Sequence, residues 1–201
     1  MADRRRAAVV AVPVLVIPAT IAVTDAHLAT GPAALVVSTL AATVAVSALA
    51  LQPVLAAAGA RRLRWHRLLG TVTFALVLAH VGALYVLSAE DTLFALSPDG
   101  PTRARMALLA TLALAVVVIL GAGRARLPVS TTTWRVLHTF FAVLVVVLGV
   151  GHAVLTDGAL DGVGTPVLLA LGATSLVGIA YAAVSRARRL SVSRRRATVR
   201  P

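Results

Sequence analysis

The chain has 201 residues, 59% of them hydrophobic, and a mean hydropathy of +0.94, which excludes an ordinary water-soluble domain and predicts a membrane protein. The absence of cysteine excludes disulfides, thiolate-bound iron–sulfur clusters, covalently attached c-type haem and cysteine-bound zinc. The net charge of +12 comes from arginines that cluster between apolar segments, a pattern that indicates membrane orientation rather than nucleic-acid binding.

Six apolar segments are predicted to cross the membrane as helices, each near the ~20 residues that a spanning helix needs. In chain order they are Ala7–Val23, Pro32–Ala60, Leu68–Ser88, Ala104–Leu120, Val136–Leu155 and Pro166–Val184. Gln52 and Pro53 are expected to kink or end the second span, because proline lacks the amide that continues a helix. The first segment has the basic start of a cleaved signal peptide, but its length and the even number of spans favour an uncleaved span.

The charges give these spans an orientation. All 19 basic residues are arginines. Seventeen of them lie before span one, after span six, between spans two and three, or between spans four and five. Six of the seven acidic residues lie in the other connections. The positive-inside rule therefore predicts a multi-pass protein of the cell membrane with cytoplasmic N- and C-termini. We expect a six-helix transmembrane domain over residues 1–185 and a basic cytoplasmic tail over residues 186–201, too short for a nucleotide-binding domain.

Four of the five histidines form two pairs with one spacing. His66, just before span three, and His80, within it, lie 14 residues apart, and His138 and His152 lie 14 residues apart in span five. In a helix, 14 residues fall about 40° short of four turns and rise about 21 Å, so each pair projects from one face and fits within the hydrocarbon core. Both spans start at the cytoplasm, so His66 is expected opposite His138 near the cytoplasm, and His80 opposite His152 near the exterior.

This order predicts an all-α bundle that binds two stacked haems, the inner iron through His66 and His138 and the outer iron through His80 and His152. The helix faces between the histidines carry small or apolar residues, namely Gly70, Thr73, Val77, Ala142, Val145 and Gly149. Gly70 and Gly149 are expected to leave room for a flat macrocycle or for a close backbone approach.

Simpler interpretations exist for the histidines. They could make interhelical hydrogen bonds, although ionisable residues inside spans are functional candidates by default and the repeated spacing favours ligation. A single metal centre is disfavoured, because residues about 21 Å apart on a helix cannot share one coordination sphere. His27 follows span one, either as an exposed loop histidine or as a proton or acceptor contact near the outer haem.

Five arginines lie near the predicted haems, and each has two interpretations. Arg103 and Arg105, on the exterior side, are either tolerated charges at a helix start or partners of outer-haem propionates or an anionic acceptor. Arg64, Arg67 and Arg135 flank the inner ligands, where they could pair with propionates, although topology also explains arginines there. Trp65 and Trp134 are expected to be interface anchors.

The histidine segments resemble a known family. Arg64-Trp65-His66-Arg67-Leu68-Leu69-Gly70 followed by His80, and Trp134-Arg135-Val136-Leu137-His138 followed by His152, are similar to spans three and five of the ferric reductase-like transmembrane family. That family includes the membrane parts of ferric reductases and NADPH oxidases and the haem-bearing membrane subunit of the bacterial methionine-sulfoxide reductase. The resemblance implies two b-type haems bound by the four histidines. Larger members carry cytoplasmic FAD and NAD(P)H domains after span six, where this chain has only the basic tail.

The first functional hypothesis is transmembrane electron transfer. Electrons would enter from a cytoplasmic flavin reductase, reduced flavin or quinol, and leave to ferric iron or an exterior redox partner. The chain would then be an oxidoreductase component without its own FAD or NAD(P)H domain. A second hypothesis is the haem-bearing membrane subunit of a periplasmic methionine-sulfoxide reductase-type complex. A third is a non-redox transporter or scaffold with proton-relaying histidines, against which stands the absence of a mid-span carboxylate.

Overall fold

The described part of the chain is built from helices joined by short connections. The computed structural model describes residues 14, 16–24, 28, 30–57, 60–156 and 162–198, and only the backbone of residues 57, 60–62 and 186–198. Its helices are α1 (Ala33–Ala57), α2 (Ala60–Leu87), α3 (Ala89–Leu96), α4 (Thr102–Ala122), α5 (Thr131–Val154) and α6 (Gly164–Thr198). Residues 16–24 are also helical.

Five helices in the described residues are long and apolar enough to cross a membrane. These candidate spans are Ala33–Ala56, Leu63–Leu87, Thr102–Ala122, Thr131–Val154 and Gly164–Ser185. They confirm predicted spans two to six as apolar helices of spanning length. The predicted first span, Ala7–Val23, is described only at residues 14 and 16–23, so the count of six stays a prediction. Within it, Ala22 is fully buried and packs with Leu28 against the start of α1.

The histidine helices begin earlier than the hydropathy pattern predicted. α2 begins at Ala60 and α5 at Thr131, so Arg135 and the arginines of the second connection (Arg61, Arg62, Arg64 and Arg67) lie on these helices, whereas Arg124 and Arg126 lie in the loop before α5. Arginine is a good helix former, and its charged end reaches polar surroundings while its stem covers apolar surface. At the start of α5, the Ser130 hydroxyl accepts a hydrogen bond from the Thr133 amide at 3.0 Å and caps the helix.

A short helix, α3, follows α2, where the hydropathy pattern predicted none. Ser88 caps it by accepting a hydrogen bond from the Asp91 amide at 3.2 Å. Glu90 and Asp91 occupy its first turn, where negative charge interacts favourably with the helix dipole. α3 therefore connects spans α2 and α4. It lies at the end of the bundle opposite the arginine-rich starts of α2 and α5.

The helices pack against one another as a bundle. α1 packs mainly against α2, α4 packs against α5, and α6 lies against both α1 and α5. Small buried residues of α1, including Ala41, Ala45, Ser47 and Ala48, allow the close approach that helices need where lipid supplies no hydrophobic driving force. Large apolar side chains such as Val86, Ile119 and Val177 instead face outward, as expected for a bundle surrounded by hydrocarbon.

Pro53 lies inside α1 and does not end it, because the helix continues to Ala57. The proline is buried against α6, where a Cβ added at Gly178 would lie 2.7 Å from the Pro53 Cβ. The glycine at position 178 therefore allows α1 and α6 to approach at the proline.

We expect Gly178→Ala to lower the stability of the bundle by about 1–3 kcal/mol, the usual cost of overpacking a tight contact. Gly121→Ala is the matched control, because a Cβ at that position of α4 meets nothing within 4 Å. Thermal unfolding of both variants in the same detergent measures the difference. Equal unfolding temperatures would contradict the assigned contact.

Candidate functional site

The rings of the four span histidines meet in two pairs. The ring centroids of His66 and His138 lie 6.1 Å apart, and those of His80 and His152 lie 6.4 Å apart. The earlier histidine of α2 pairs with the earlier one of α5, and the later with the later. α2 and α5 therefore run in the same direction, as the charge pattern predicted. The pairs are separated by 14 residues on each helix, about 21 Å along the axis.

The ring separations fit two imidazoles that bind one metal ion from opposite sides. With each nitrogen–metal bond about 2.0–2.1 Å long, Nε2 ligation from both sides puts the ring centroids about 6.3 Å apart. Within the described helices, α2 and α5 do not pack closely along their backbones, although both contact α1 and α4. The histidine rings of α2 and α5 therefore meet across a gap between the two helix backbones. In the same described residues, no group of three or more His, Cys, Asp or Glu side chains could hold a metal ion.

Three of the four histidines have Nδ1 within hydrogen-bond distance of a main-chain carbonyl. His80 Nδ1 lies 3.1 Å from the Ser38 carbonyl oxygen and 2.8 Å from the Ser38 hydroxyl oxygen. His152 Nδ1 lies 3.0 Å from the carbonyl oxygen of Arg103, and His66 Nδ1 lies 3.2 Å from that of Gln52. A carbonyl oxygen can only accept, so the contacts of His80 and His152 favour the tautomer with the proton on Nδ1 and the lone pair on Nε2. This is the tautomer that binds a metal through Nε2.

The fourth histidine, His138, is held by an aromatic stack. The rings of Trp134 and His138 are 5.0 Å apart at 16°, and the Trp134 Nε1–H donates to the Leu120 carbonyl at 2.8 Å. The Arg124 guanidinium lies 5.5 Å from the Trp134 ring centroid and donates to the Thr131 hydroxyl at 2.8 Å. Trp134 was expected to be an interface anchor, and the structure additionally gives it a contact with a candidate ligand.

We expect Trp134→Leu to destabilise the start of α5 by about 1 kcal/mol or more, because it removes the ring stack and the indole hydrogen bond. Trp65→Leu is the matched control, since Trp65 is half exposed and is the only other tryptophan. Its effect should stay within about 0.5 kcal/mol, as is usual for surface substitutions. Thermal unfolding distinguishes the two variants, and a larger loss from the Trp65 variant would contradict the role given to the stack.

An apolar layer fills the bundle between the two histidine pairs. Ala113, Leu114 and Val145 are buried at its centre. Partly buried side chains from α1, α2, α4 and α5 pack around them, namely Leu49, Phe74, Val77, Val118, Phe141 and Leu144. The layer includes two positions predicted to lie between the pairs, Val77 and Val145.

The two glycines predicted to leave room differ in their surroundings. A Cβ at Gly149 would meet nothing within 4 Å, which agrees with open space beside α5. A Cβ at Gly70 would instead lie 3.5 Å from the side-chain amide of Gln52. The nearest group there is a side chain of α1 and not a backbone, so the expectation at Gly70, room for a macrocycle or a close backbone approach, stays a prediction.

The predicted arginines lie at both ends of the bundle and point outward. Arg64 and Arg67 on α2 and Arg135 on α5 are exposed, and the Arg64 guanidinium lies 5.2 Å from the centroid of Trp65. At the opposite end, Arg105 donates to the Thr102 hydroxyl at 3.3 Å, and Arg103 contributes its carbonyl to His152. Their pairing with propionates stays a prediction. His27 lies outside the described residues, and the described acids Glu90, Asp91 and Asp99 all lie outside the candidate spans.

Ser38 was not predicted to be a partner of the site, and Gln52 was predicted only to kink or end its span together with Pro53. A signal was present, because Ser38 and Gln52 are 14 residues apart, the spacing of both histidine pairs. Polar residues at this interval in an otherwise apolar helix can face two levels of a neighbouring helix. The spacing alone does not tell which helix is the neighbour.

Comparison with known proteins gives one match. A family model described as "Ferric reductase like transmembrane component" matches residues 30–149. The match covers α1 to α4 and most of α5, includes His66, His80 and His138, and stops three residues before His152. No curated protein and no solved structure matches the chain.

Proposed function

The chain belongs to the ferric reductase-like transmembrane component family, and from this membership and the paired histidines we propose that it transfers electrons across a membrane through two b-type haems. The family suggests transmembrane electron transfer, and the apolar helices identify a multi-pass membrane protein. The proposal of two haems rests on the four histidine rings, which meet in two pairs on two parallel helices. The ring centroids are 6.1 Å apart in one pair and 6.4 Å apart in the other.

In this proposal His66 and His138 hold the inner haem, and His80 and His152 hold the outer one. Held by two histidines each, the haems would supply single-electron transfer rather than oxygen binding. The protein's contribution is to fix the ring orientations through Nδ1, to separate the pairs by about 21 Å, and to surround them with apolar side chains. Gly149 provides space beside His152 for the outer haem.

The proposed direction of transfer runs from the cytoplasm to the exterior. The end of the bundle with His66 and His138 also carries Arg64, Arg67 and Arg135, and arginine-rich ends are usually cytoplasmic. We propose a cytoplasmic flavoprotein, reduced flavin or quinol as the donor. Ferric iron or an exterior redox protein is the proposed acceptor at the end with His80 and His152.

Purified protein tests the proposal directly. We expect a reduced-minus-oxidised spectrum of the b type with two haems per chain, and a redox titration with two one-electron steps. In liposomes, reductant added on one side should reduce an impermeant ferric chelate on the other. Protein without bound haem, or with haem that cannot pass electrons across the bilayer, would contradict the proposed function.

A further inference from the structure

Helix α1 has no histidine, yet it contacts both histidines of α2 on the Nδ1 side of their rings. Ser38 approaches His80 with its carbonyl and hydroxyl oxygens, at 3.1 and 2.8 Å from Nδ1. Gln52 approaches His66 with both its main chain and its side chain. The two levels of the bundle therefore differ in the chemical group that α1 presents to the histidine.

The side-chain amide of Gln52 has only one orientation that its neighbours allow. One of its terminal atoms lies 3.1 Å from the His66 carbonyl oxygen, which only accepts, and the other lies 2.7 Å from the Gly70 amide nitrogen, which only donates. The amide nitrogen must therefore lie at His66 and the amide oxygen at Gly70. In this orientation the nitrogen lies 2.6 Å from His66 Nδ1 and donates a hydrogen bond to it.

The same ring nitrogen also faces an acceptor, because the main-chain carbonyl oxygen of Gln52 lies 3.2 Å from His66 Nδ1. The side-chain amide requires a lone pair on Nδ1, which puts the proton of the neutral ring on Nε2. The carbonyl requires the proton on Nδ1. No tautomer satisfies both groups, and the amide makes the shorter contact. The contacts of Gln52 therefore favour a His66 ring with its proton on Nε2, the nitrogen that would bind a metal.

The outer pair has no such conflict. The carbonyl oxygens of Ser38 and Arg103, which only accept, lie 3.1 and 3.0 Å from Nδ1 of His80 and His152. The Ser38 hydroxyl, 2.8 Å from the same nitrogen of His80, is compatible with a proton on Nδ1, because a hydroxyl can accept as well as donate. Both outer rings therefore have the tautomer that binds a metal through Nε2.

We propose that the side chain of Gln52 lowers the affinity of the inner histidine pair for haem and leaves the outer pair unaffected. This inference rests on the proposed haem ligation. To bind through Nε2, the His66 ring must exchange its Nε2 proton for one on Nδ1, with no change in charge. The Gln52 carbonyl then accepts from the Nδ1–H, while the side-chain amide must leave Nδ1 and lose its other contacts with His66 and Gly70. Gln52 is thus a positioning residue whose side chain opposes ligation.

Chains with a single histidine pair measure each site by itself. His152→Ala keeps the inner pair and His138→Ala keeps the outer pair, and haem is titrated into each full-length chain while the low-spin absorbance of iron with two histidine ligands is followed. We expect Gln52→Leu to raise the haem affinity of the inner pair about tenfold, a factor typical of one or two hydrogen bonds, and not to change that of the outer pair. If Gln52 only supported the fold, its removal would lower the affinity.

Ser47→Ala is the matched control, because Ser47 is buried on α1 and its hydroxyl donates within the same helix, to the Thr43 carbonyl at 2.8 Å. This variant should change the affinity of neither pair. An inner-pair affinity that falls or stays the same in Gln52→Leu, or an outer-pair affinity that rises equally, would overturn the inference.

A second readout needs no haem. In the haem-free full-length chain with isotope-labelled histidine, nuclear magnetic resonance should find the ring proton of His66 on Nε2 and those of His80 and His152 on Nδ1. Gln52→Leu should move the His66 proton to Nδ1. A proton on Nδ1 of His66 in the unaltered chain would overturn the inference, and this measurement does not depend on whether any variant folds.

The remaining outcomes are also assigned. If Gln52→Leu does not accumulate, Gln52→Met carries the same affinity test with an unbranched side chain of similar length. An unaltered chain that binds no haem at either pair would disprove the proposed function. Haem that binds to the inner pair with the same affinity in the presence and absence of the Gln52 side chain would overturn only this inference, so the two failures are distinguishable.

Discussion

His138→Ala is expected to remove one of the two haems and one step of the redox titration, while the other haem stays bound. The inner iron would lose one of its two ligands, whereas His80 and His152, about 21 Å away along the helices, would keep their partners. Transfer across the membrane should stop, because one of two sites in series is missing. Pyridine haemochrome quantification per chain and the liposome assay measure both effects.

His152→Ala is the reciprocal variant. In this variant the inner haem should stay bound. The titration step that this variant loses should be the step that His138→Ala retains. With donor and acceptor on opposite sides, only the chain that keeps the inner haem should still be reduced from the cytoplasmic side. Retention of two haems by either variant would contradict the assigned pairs. Reduction of the outer haem of His138→Ala from the cytoplasmic side would contradict the proposed orientation.

Gly149→Leu is expected to abolish binding of the outer haem. Gly149 lies three residues before His152, on the histidine-bearing side of α5, and a Cβ there meets no protein atom within 4 Å. The chain itself can therefore accept a side chain at position 149, and the expected loss arises because the leucine would occupy haem space. Haem stoichiometry and the number of titration steps measure the outcome, with the inner haem expected to remain.

Gly82→Leu is the matched control. A Cβ at Gly82 also meets nothing within 4 Å, but this position lies two residues after His80, about 200° around α2 and away from the pairs. Both haems should stay bound in this variant. Equal haem contents in the two leucine variants would show that the space beside Gly149 is not used by the cofactor.

Hydropathy and spacing predicted much of the architecture. The five described spans are governed by local composition, since a run of apolar residues of spanning length must form a helix to satisfy its own backbone in lipid. The charge pattern predicted parallel histidine helices, and the paired rings agree with that direction. The helix starts at Ala60 and Thr131 were predicted too late, because hydropathy marks where the apolar run begins and not where the backbone first becomes helical.

The sequence by itself determined which side chains can be ligands, because four histidines at one spacing on two apolar segments project at two matching heights. Only the tertiary structure decided what lies behind each ring. Ser38 lies 42 residues from His80 in the chain, and Arg103 lies 49 residues from His152. The contacts at Arg103 and Gln52 include main-chain carbonyls, which every residue has and no sequence pattern distinguishes. Helix packing alone determines which carbonyl reaches which histidine. That packing depends on small residues such as Gly70 and Gly178, which allow neighbouring helices to approach closely.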